Sequence, residues 1–217
     1  MVGELKFRKK LTRPQFEKFM TEHDPAVVVM EACGGAHYWA RVMSELGHEV
    51  KLITPQYVHP FVKRQKNDAA DAEAIVIAAQ RPEMRFAVPK TEDQPARAAL
   101  FRSRERLVRD RTEMVNALRG TLYEQGQSFP TGIRHLSRIQ ALLDDPENGL
   151  HRLAQRECLD LIEQIAQTTE RIDAKTKQTT TLSAQSDVTR RLQTIPGVGP
   201  LTALAVETFA PQMETFN

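Results

Sequence analysis

From Gln94 to about Gln125, apolar side chains return every seven residues, with Leu100, Leu107 and Met114 in one row and Phe101, Val108, Val115 and Leu122 in the next. A helix of that length cannot bury such a seam by itself, so the pattern demands a second helix to face it. One is available between about Asn148 and Lys177, where Ala154, Cys158, Leu161, Ile165 and Ile172 fall on a single stripe. The two are expected to form an antiparallel hairpin. The turn-rich stretch from Gln127 to Pro146 then reads as the connection. The Thr-rich run after Lys177 is a poor helix by composition and reads as a linker.

The first ninety or so residues follow a different rhythm. Leu5, Phe7 and Leu11 alternate with Lys6, Arg8 and Lys10, which predicts a half-exposed strand. Thr12 is placed to cap a short helix, with Pro14 in its first turn and Gln15 in the capping-box position. The run Ala26-Val27-Val28-Val29-Met30 is apolar on both faces, which predicts a strand buried on both sides and ending at Glu31. After Cys33-Gly34-Gly35, a helix through Trp39, Val42, Met43 and Leu46 stops at Gly47, and a strand follows from Glu49 to Thr54. A further helix runs from about Asp68 to Gln80. This strand–helix–strand order predicts an α/β domain ahead of the helical one.

Composition narrows the class. No stretch reaches the roughly 18 uninterrupted apolar residues of a membrane helix, and Met1 to Lys10 has no signal-peptide core. Cys33 and Cys158 have no metal-ligand spacing and make no disulfide framework, so a cytoplasmic protein is expected. Cys33 reads as a small buried hydrophobe. The net charge of +2 decides nothing, but nine Lys/Arg against four Asp/Glu crowd residues 94–138, between acidic flanks. Such a block suits either a polyanion or a solvated helix face.

Three acids form the densest chemical constellation. Glu31 ends a strand at its carboxyl edge, where open α/β sheets place functional groups. Asp68 and Asp71 are three apart at a helix start and share a side. Carboxylates that converge repel one another unless they share cations, and Mg²⁺ takes oxygen ligands. Spacing alone leaves a second reading open, in which the two Asp residues merely favour the helix N-terminus and Glu31 ends a strand. Arg97, Arg104 and Arg111 repeat at seven and fall between the Leu100 and Phe101 rows. Guanidiniums in an apolar stripe need a carboxylate of the facing helix or a phosphate, unless their heads reach water. Arg102, Arg106 and Arg109 lie outside that stripe. His37, Tyr38 and Trp39 read as packing residues, and the other histidines share no ligand spacing.

Several segments occur in a telling order: Val-Val-Met-Glu-Ala-Cys-Gly-Gly-Ala-His-Tyr-Trp-Ala-Arg (28–41), Val-Lys-Leu-Ile-Thr-Pro (50–55) and Lys-Asn-Asp-Ala-Ala-Asp-Ala-Glu-Ala-Ile (66–75). Leu118-Arg119-Gly120 and Ile195-Pro196-Gly197-Val198-Gly199-Pro200 follow. The set resembles the DEDD transposases of insertion sequence family 110, over essentially the whole chain. That resemblance implies an incomplete RuvC/RNase H-like sheet domain at 1–90. It also implies a long-helix region at 91–186 and, at 187–217, the start of a C-terminal domain with a helix-hairpin-helix-like turn. It makes Glu31, Asp68 and Asp71 three of four carboxylates holding Mg²⁺ or Mn²⁺. Lys66, Arg97, Arg104, Arg111, Gly197 and Gly199 become candidate nucleic-acid contacts.

The function so implied is metal-dependent cleavage and joining of DNA strands in transposition. Its partners would be DNA of the element ends and target, a guide RNA encoded by the element, and further copies of the full-length chain, with no membrane. The family pattern also has an Asp-bearing strand before one like Leu5–Leu11 and a nucleophilic Ser after the Pro-Gly-Val-Gly turn. Residues 1–217 contain neither, so this reading expects a chain shortened at both ends and inactive by itself. A nucleic-acid-binding remnant without catalysis and a helical assembly protein are the alternatives.

Overall fold

The computed structural model describes residues 6–62 and 68–210, with the backbone alone for Asp68 and Ala69. Residues 1–95 and 96–217 form separate compact units.

The first unit is built on a small parallel sheet. Helix α1 (Arg13–Thr21) starts as expected: the Thr12 N–H donates to Gln15 Oε1 at 2.9 Å, and Pro14 sits in the first turn. Strands β1 (Val27–Glu31) and β2 (Glu49–Ile53) pair in parallel, from Val27 opposite Glu49 to Glu31 opposite Ile53. Parallel neighbours need a crossover, and α2 (Ala36–Glu45) supplies it, ending before Gly47 at φ 88°. Short helix α3 (Pro55–Val58) and a 3-10 turn (His59–Phe61) follow β2, then α4 (Asp68–Ala79). Beyond α4 the Ala87 N–H donates to the Leu52 carbonyl at 2.7 Å, which brings this segment onto β2. His48 ties the layers together. Its Nδ1 accepts from the Ala26 N–H at 3.1 Å, so Nε2 carries the hydrogen and donates to the Met20 carbonyl at 3.0 Å.

Two sequence expectations fail in this unit. Residues 6–12 form no strand. Phe7 instead packs edge-on against Phe19 of α1 with ring centroids 5.7 Å apart, and the Lys9 ammonium lies over both rings. Packing on a neighbouring helix satisfies the alternation that a sheet ladder was expected to explain. Nor is β1 buried on both faces. Val27 is exposed and Val28 to Glu31 are half-buried, whereas Leu52 and Ile53 of β2 are fully enclosed. β2 has β1 on one side and Ala87 on the other, which is the environment expected of β1.

In the second unit, α5 (Asp93–Glu124) and α7 (Arg152–Gln185) form the antiparallel hairpin. Arg104 meets Thr176 and Arg111 meets Thr169, so a step of seven along one helix is a step of seven back along the other. Val115, Leu118, Leu122, Cys158 and Ile165 share one buried cluster. Burial pushes the Cys158 thiol above its ordinary range, and the neighbouring Glu157 charge adds to this. Helices α8 (Asp187–Leu192) and α9 (Pro200–Phe209) fold back on the far end of α7.

Here too two expectations are corrected. The stretch 127–146 is not all turn, since it contains a 3-10 turn (Ile133–His135) and α6 (Leu136–Asp144). Ile139 and Leu143 of α6 sit in the hairpin core, and Gln155 Nε2 donates to the Leu143 carbonyl at 2.8 Å. The Thr-rich run is helix to Gln185. Hydroxyls of Thr179, Thr180 and Thr181 donate to carbonyls four residues back at 2.9–3.1 Å, while Thr179 and Ser183 are buried. Burial and self-satisfied hydroxyls outweigh the weak propensity of Thr.

Candidate functional site

Alternation along β1 decides where Glu31 stands. Met30 packs with Ala36, Ala40 and Leu52, on the α2 side of the sheet. Val29 packs with Ile53, Ala74 and Ala78, on the α4 side. Glu31, two residues beyond Val29 and paired with Ile53, shares the α4 side at the carboxyl end of the strand. On α4, Asp71 precedes Ala74 and Ala78 by three and seven residues, so it lies on the stripe facing the sheet. Ala74 and Ala78 are fully enclosed, and their small side chains let α4 lie close on β1.

Glu31 and Asp71 thus belong to one seam, both half-buried, and neither carboxylate has a hydrogen-bond or ion-pair partner among the described residues. Asp68 begins the same helix one turn earlier. Its side chain, like all of Lys66, lies outside the described residues. Among those described, no group of three or more His, Cys, Asp or Glu side chains gathers to hold a metal ion. The donors that are placed nonetheless suit a hard cation, being carboxylate oxygens with no ion-pair partner among the described residues.

The loop beyond Glu31 closes tightly. The Ala32 N–H extends the ladder to the Ile53 carbonyl at 2.7 Å, and the Cys33 N–H donates to the Glu31 carbonyl at 2.8 Å. Gly35, at φ 88°, starts α2 in a conformation that L side chains rarely adopt. Cys33, expected buried, is exposed on this loop. Trp39 packs edge-on against Phe16, ring centroids 5.2 Å apart, in the packing role expected of it. His37 does more than fill space. Its Nδ1 accepts from the Lys90 N–H at 3.2 Å, and Arg41 Nη1 donates to the carbonyls of both His37 and Lys90.

Burial, then the Lys90 and Arg41 charges, hold the His37 imidazole below its ordinary value of 6.5. The folded unit therefore binds fewer protons than the unfolded chain as pH falls through that value. The stability from neutral His37 is complete above about pH 6.5 and is lost progressively below it. Resistance of the wild type to denaturant should fall as pH is lowered over that range, and His37→Gln should flatten the slope. An unchanged slope would remove His37 as its source.

The arginines of α5 divide between two faces. Arg97 Nη1 donates to Glu207 Oε2 at 2.8 Å, and Glu207 Oε1 accepts from the Ser186 hydroxyl at 2.7 Å. Arg104 Nε donates to Thr176 Oγ1 at 2.9 Å and Arg111 Nη1 to Thr169 Oγ1 at 3.3 Å. All three heads thus take partners inside the unit. Arg102, Arg106 and Arg109 are exposed, with only long i,i+4 contacts from Arg106 to Asp110 (3.7 Å) and from Arg109 to Glu105 (4.0 Å). Arg119 holds the Phe129 carbonyl from both Nε and Nη2, and Leu118 is fully buried, which gives Leu118-Arg119 a packing role. Between α8 and α9, Gly197 has φ 84° and Gly199 caps α9 ahead of Pro200.

One group of residues escaped the sequence reading. Tyr57, Phe61, Arg81 and Arg85 line a cavity of about 410 Å³ beside α4. The aromatic pair and the arginine pair each repeat at four, but nothing in the spacing joins segments some twenty residues apart.

Comparison with known proteins places the chain in a family. Residues 4–125 match the DEDD family of insertion-sequence-110 type, whose description is "Transposase". The chain is 44% identical over 217 residues to a putative transposase of Sinorhizobium fredii, covering 95% of this chain and 54% of that protein. It is 41% identical over 208 residues to the transposase for insertion sequence element IS1328 of Yersinia enterocolitica, covering 95% and 61%. With the transposase for insertion sequence element IS1111A of Coxiella burnetii the identity is 35% over 216 residues, covering 99% and 59%. The chain spans between about half and two thirds of the length of these relatives. On the family match and these identities together, the chain belongs to the DEDD transposases of insertion sequence family 110.

Proposed function

We propose that residues 1–90 carry the metal-binding part of an enzyme that cleaves and joins DNA strands in transposition, with Glu31, Asp68 and Asp71 holding Mg²⁺ or Mn²⁺. The observation that carries this is the placement of Glu31 and Asp71 on one sheet–helix seam without a partner for either charge among the described residues. Bound divalent cations would polarise the phosphodiester oxygens and lower the pKa of an attacking group. The chain's own part is to fix the carboxylates. The ladder to Ile53 holds Glu31, and the Ala74–Ala78 contact with the sheet holds Asp71.

DNA of the element ends and target, an RNA encoded by the element and further copies of the chain are the partners this reading implies, inside the cytoplasm. Lys66 and the Gly197–Gly199 turn ahead of α9 are the proposed phosphate contacts. On α5, Arg97, Arg104 and Arg111 would have to give up their present bonds to reach a phosphate, whereas Arg102, Arg106 and Arg109 need give up little. The proposed boundaries within the chain follow the same logic, with 1–90 for chemistry, 91–186 for the hairpin and 187–217 for the turn.

Titration with Mg²⁺ or Mn²⁺ should raise the melting temperature of the wild type, by an amount that corresponds to about 2.7 kcal/mol at a hundred times the dissociation constant. The double variant Glu31→Gln/Asp71→Asn should lose that response. It should also be at least as stable as the wild type without metal, because two facing charges are gone. In the complete protein, Asp71→Asn should abolish strand cleavage while DNA binding persists. An unaltered metal response in the double variant would overturn the assignment.

A further inference from the structure

The cavity beside α4 has a composition that the acidic seam does not explain. It lies between α3 with its 3-10 turn and residues 81–85, and its volume of about 410 Å³ falls within the roughly 300–1,000 Å³ range of small-ligand pockets. Its walls are held in place. The Met84 N–H donates to the Arg81 carbonyl at 3.1 Å, Met84 packs on the core of Ile53, Val58 and Ala78, and Ala87 is bonded to β2. Tyr57 lines the cavity and is exposed. The Arg81 guanidinium lies 5.4 Å from the centre of the Phe61 ring, and that contact helps hold it in the cavity wall.

Neither Arg81 nor Arg85 has a carboxylate partner among the described residues, although Glu83 lines the same cavity. An exposed tyrosine beside two guanidiniums that have no carboxylate partner among the described residues matches the two halves of a nucleotide. A base stacks on the ring, and a phosphate takes the planar donors of arginine. Glu83 is an acceptor only, so it repels phosphate and suits a base N–H instead. A duplex hides its base faces in the stack and cannot use such a wall.

We propose that this cavity takes one unpaired nucleotide of a nucleic-acid strand, with its base on Tyr57 and its phosphate on Arg81 and Arg85. The site is separate from the acidic seam and needs no metal. The test uses the full chain in EDTA, which makes the result independent of the metal reading, with a fluorescein-labelled oligothymidylate followed by anisotropy. Tyr57→Ala should weaken binding about 5- to 150-fold, the value of one stacked base, while Tyr57→Phe retains it. Arg85→Gln should lower the slope of log affinity against log salt by about 0.7, one single-strand phosphate contact. Tyr57 and Arg85 are exposed, so neither change threatens the fold, and melting curves verify this.

Parallel titrations with an oligoribonucleotide, free thymidine monophosphate and a duplex identify the source of the nucleotide. Between the oligoribonucleotide and the free nucleotide, the arms that Tyr57→Ala weakens are ligands, and the duplex is the control. Absence of single-strand binding by the wild type would overturn the proposal. So would single-strand binding that Tyr57→Ala leaves within about twofold, or a duplex as sensitive to Tyr57→Ala as the single strand.

Discussion

Exchanging Arg102, Arg106 and Arg109 together for Gln is expected to lower the slope of log affinity against log salt for duplex DNA by up to about 2.7, close to 0.9 for each phosphate no longer neutralised. These side chains project from α5 into solvent and keep only stretched contacts along their own helix. Surface pairs of that kind contribute little to stability, so melting should hardly change. Exchanging Arg104 and Arg111 should do the reverse. Their heads donate across the hairpin to Thr176 and Thr169, and their stems lie in the apolar seam. That pair should cost about 1–3 kcal/mol in denaturation of the second unit and leave the salt slope alone. If the seam pair lowers the slope and the surface set does not, nucleic acid is held by the seam residues, and they must turn outward to do so.

Thr180→Pro should destabilise the second unit by about 3 kcal/mol or more. The position is exposed, so nothing is lost from the core, and the cost falls on the helix backbone and on the hydroxyl bond to the Thr176 carbonyl. Proline removes the amide that continues α7 and clashes with the turn before it. In a linker the same change would be silent or slightly favourable, because it restricts the unfolded chain. Chemical denaturation separates the two outcomes by several kcal/mol, and an unaltered midpoint would return residues 178–185 to the linker reading.

Local signals survived best in the sequence. The Thr12–Gln15 box, the stop at Gly47 and the sevenfold rows of α5 each depend on neighbours within a turn or two, and each appears as written. Helix α6 was hidden because Leu136, Ile139, Leu142 and Leu143 are few and stand between Gly132 and Pro146, whose turn chemistry dominates the window. The Thr run was misjudged because propensity takes no account of burial against α9. The β1 run was overread because an apolar sequence can state that a strand wants cover but not which of two strands receives it. For the acids, spacing set Asp68 beside Asp71 and put Glu31 at a strand end. The seam that Glu31 shares with Asp71 rests on the packing of Val29 with Ala74 and Ala78, which no spacing encodes. The cavity wall of Tyr57 and Arg81 depends on two segments meeting in space, and no periodicity encodes that meeting.

The hairpin register also sets an order of assembly. Gln125 and His151 are separated by 26 residues, Arg111 and Thr169 by 58, Arg104 and Thr176 by 72, and Arg97 and Glu207 by 110. Closing the shortest loop first costs the least chain entropy. The contacts of Arg111 and then Arg104 follow as further turns of α5 and α7 come into line, and Arg97 waits for α9, which carries Glu207. The pairing therefore runs like a zipper from the 125–151 end toward Arg97. Its last tooth is the ion pair of Arg97 with Glu207, and that carboxylate also anchors Ser186. In hydrogen exchange, amides around Leu118 and Ile165 should be the slowest of this unit. Those near Arg97 should open first, so that end frays while the remainder holds.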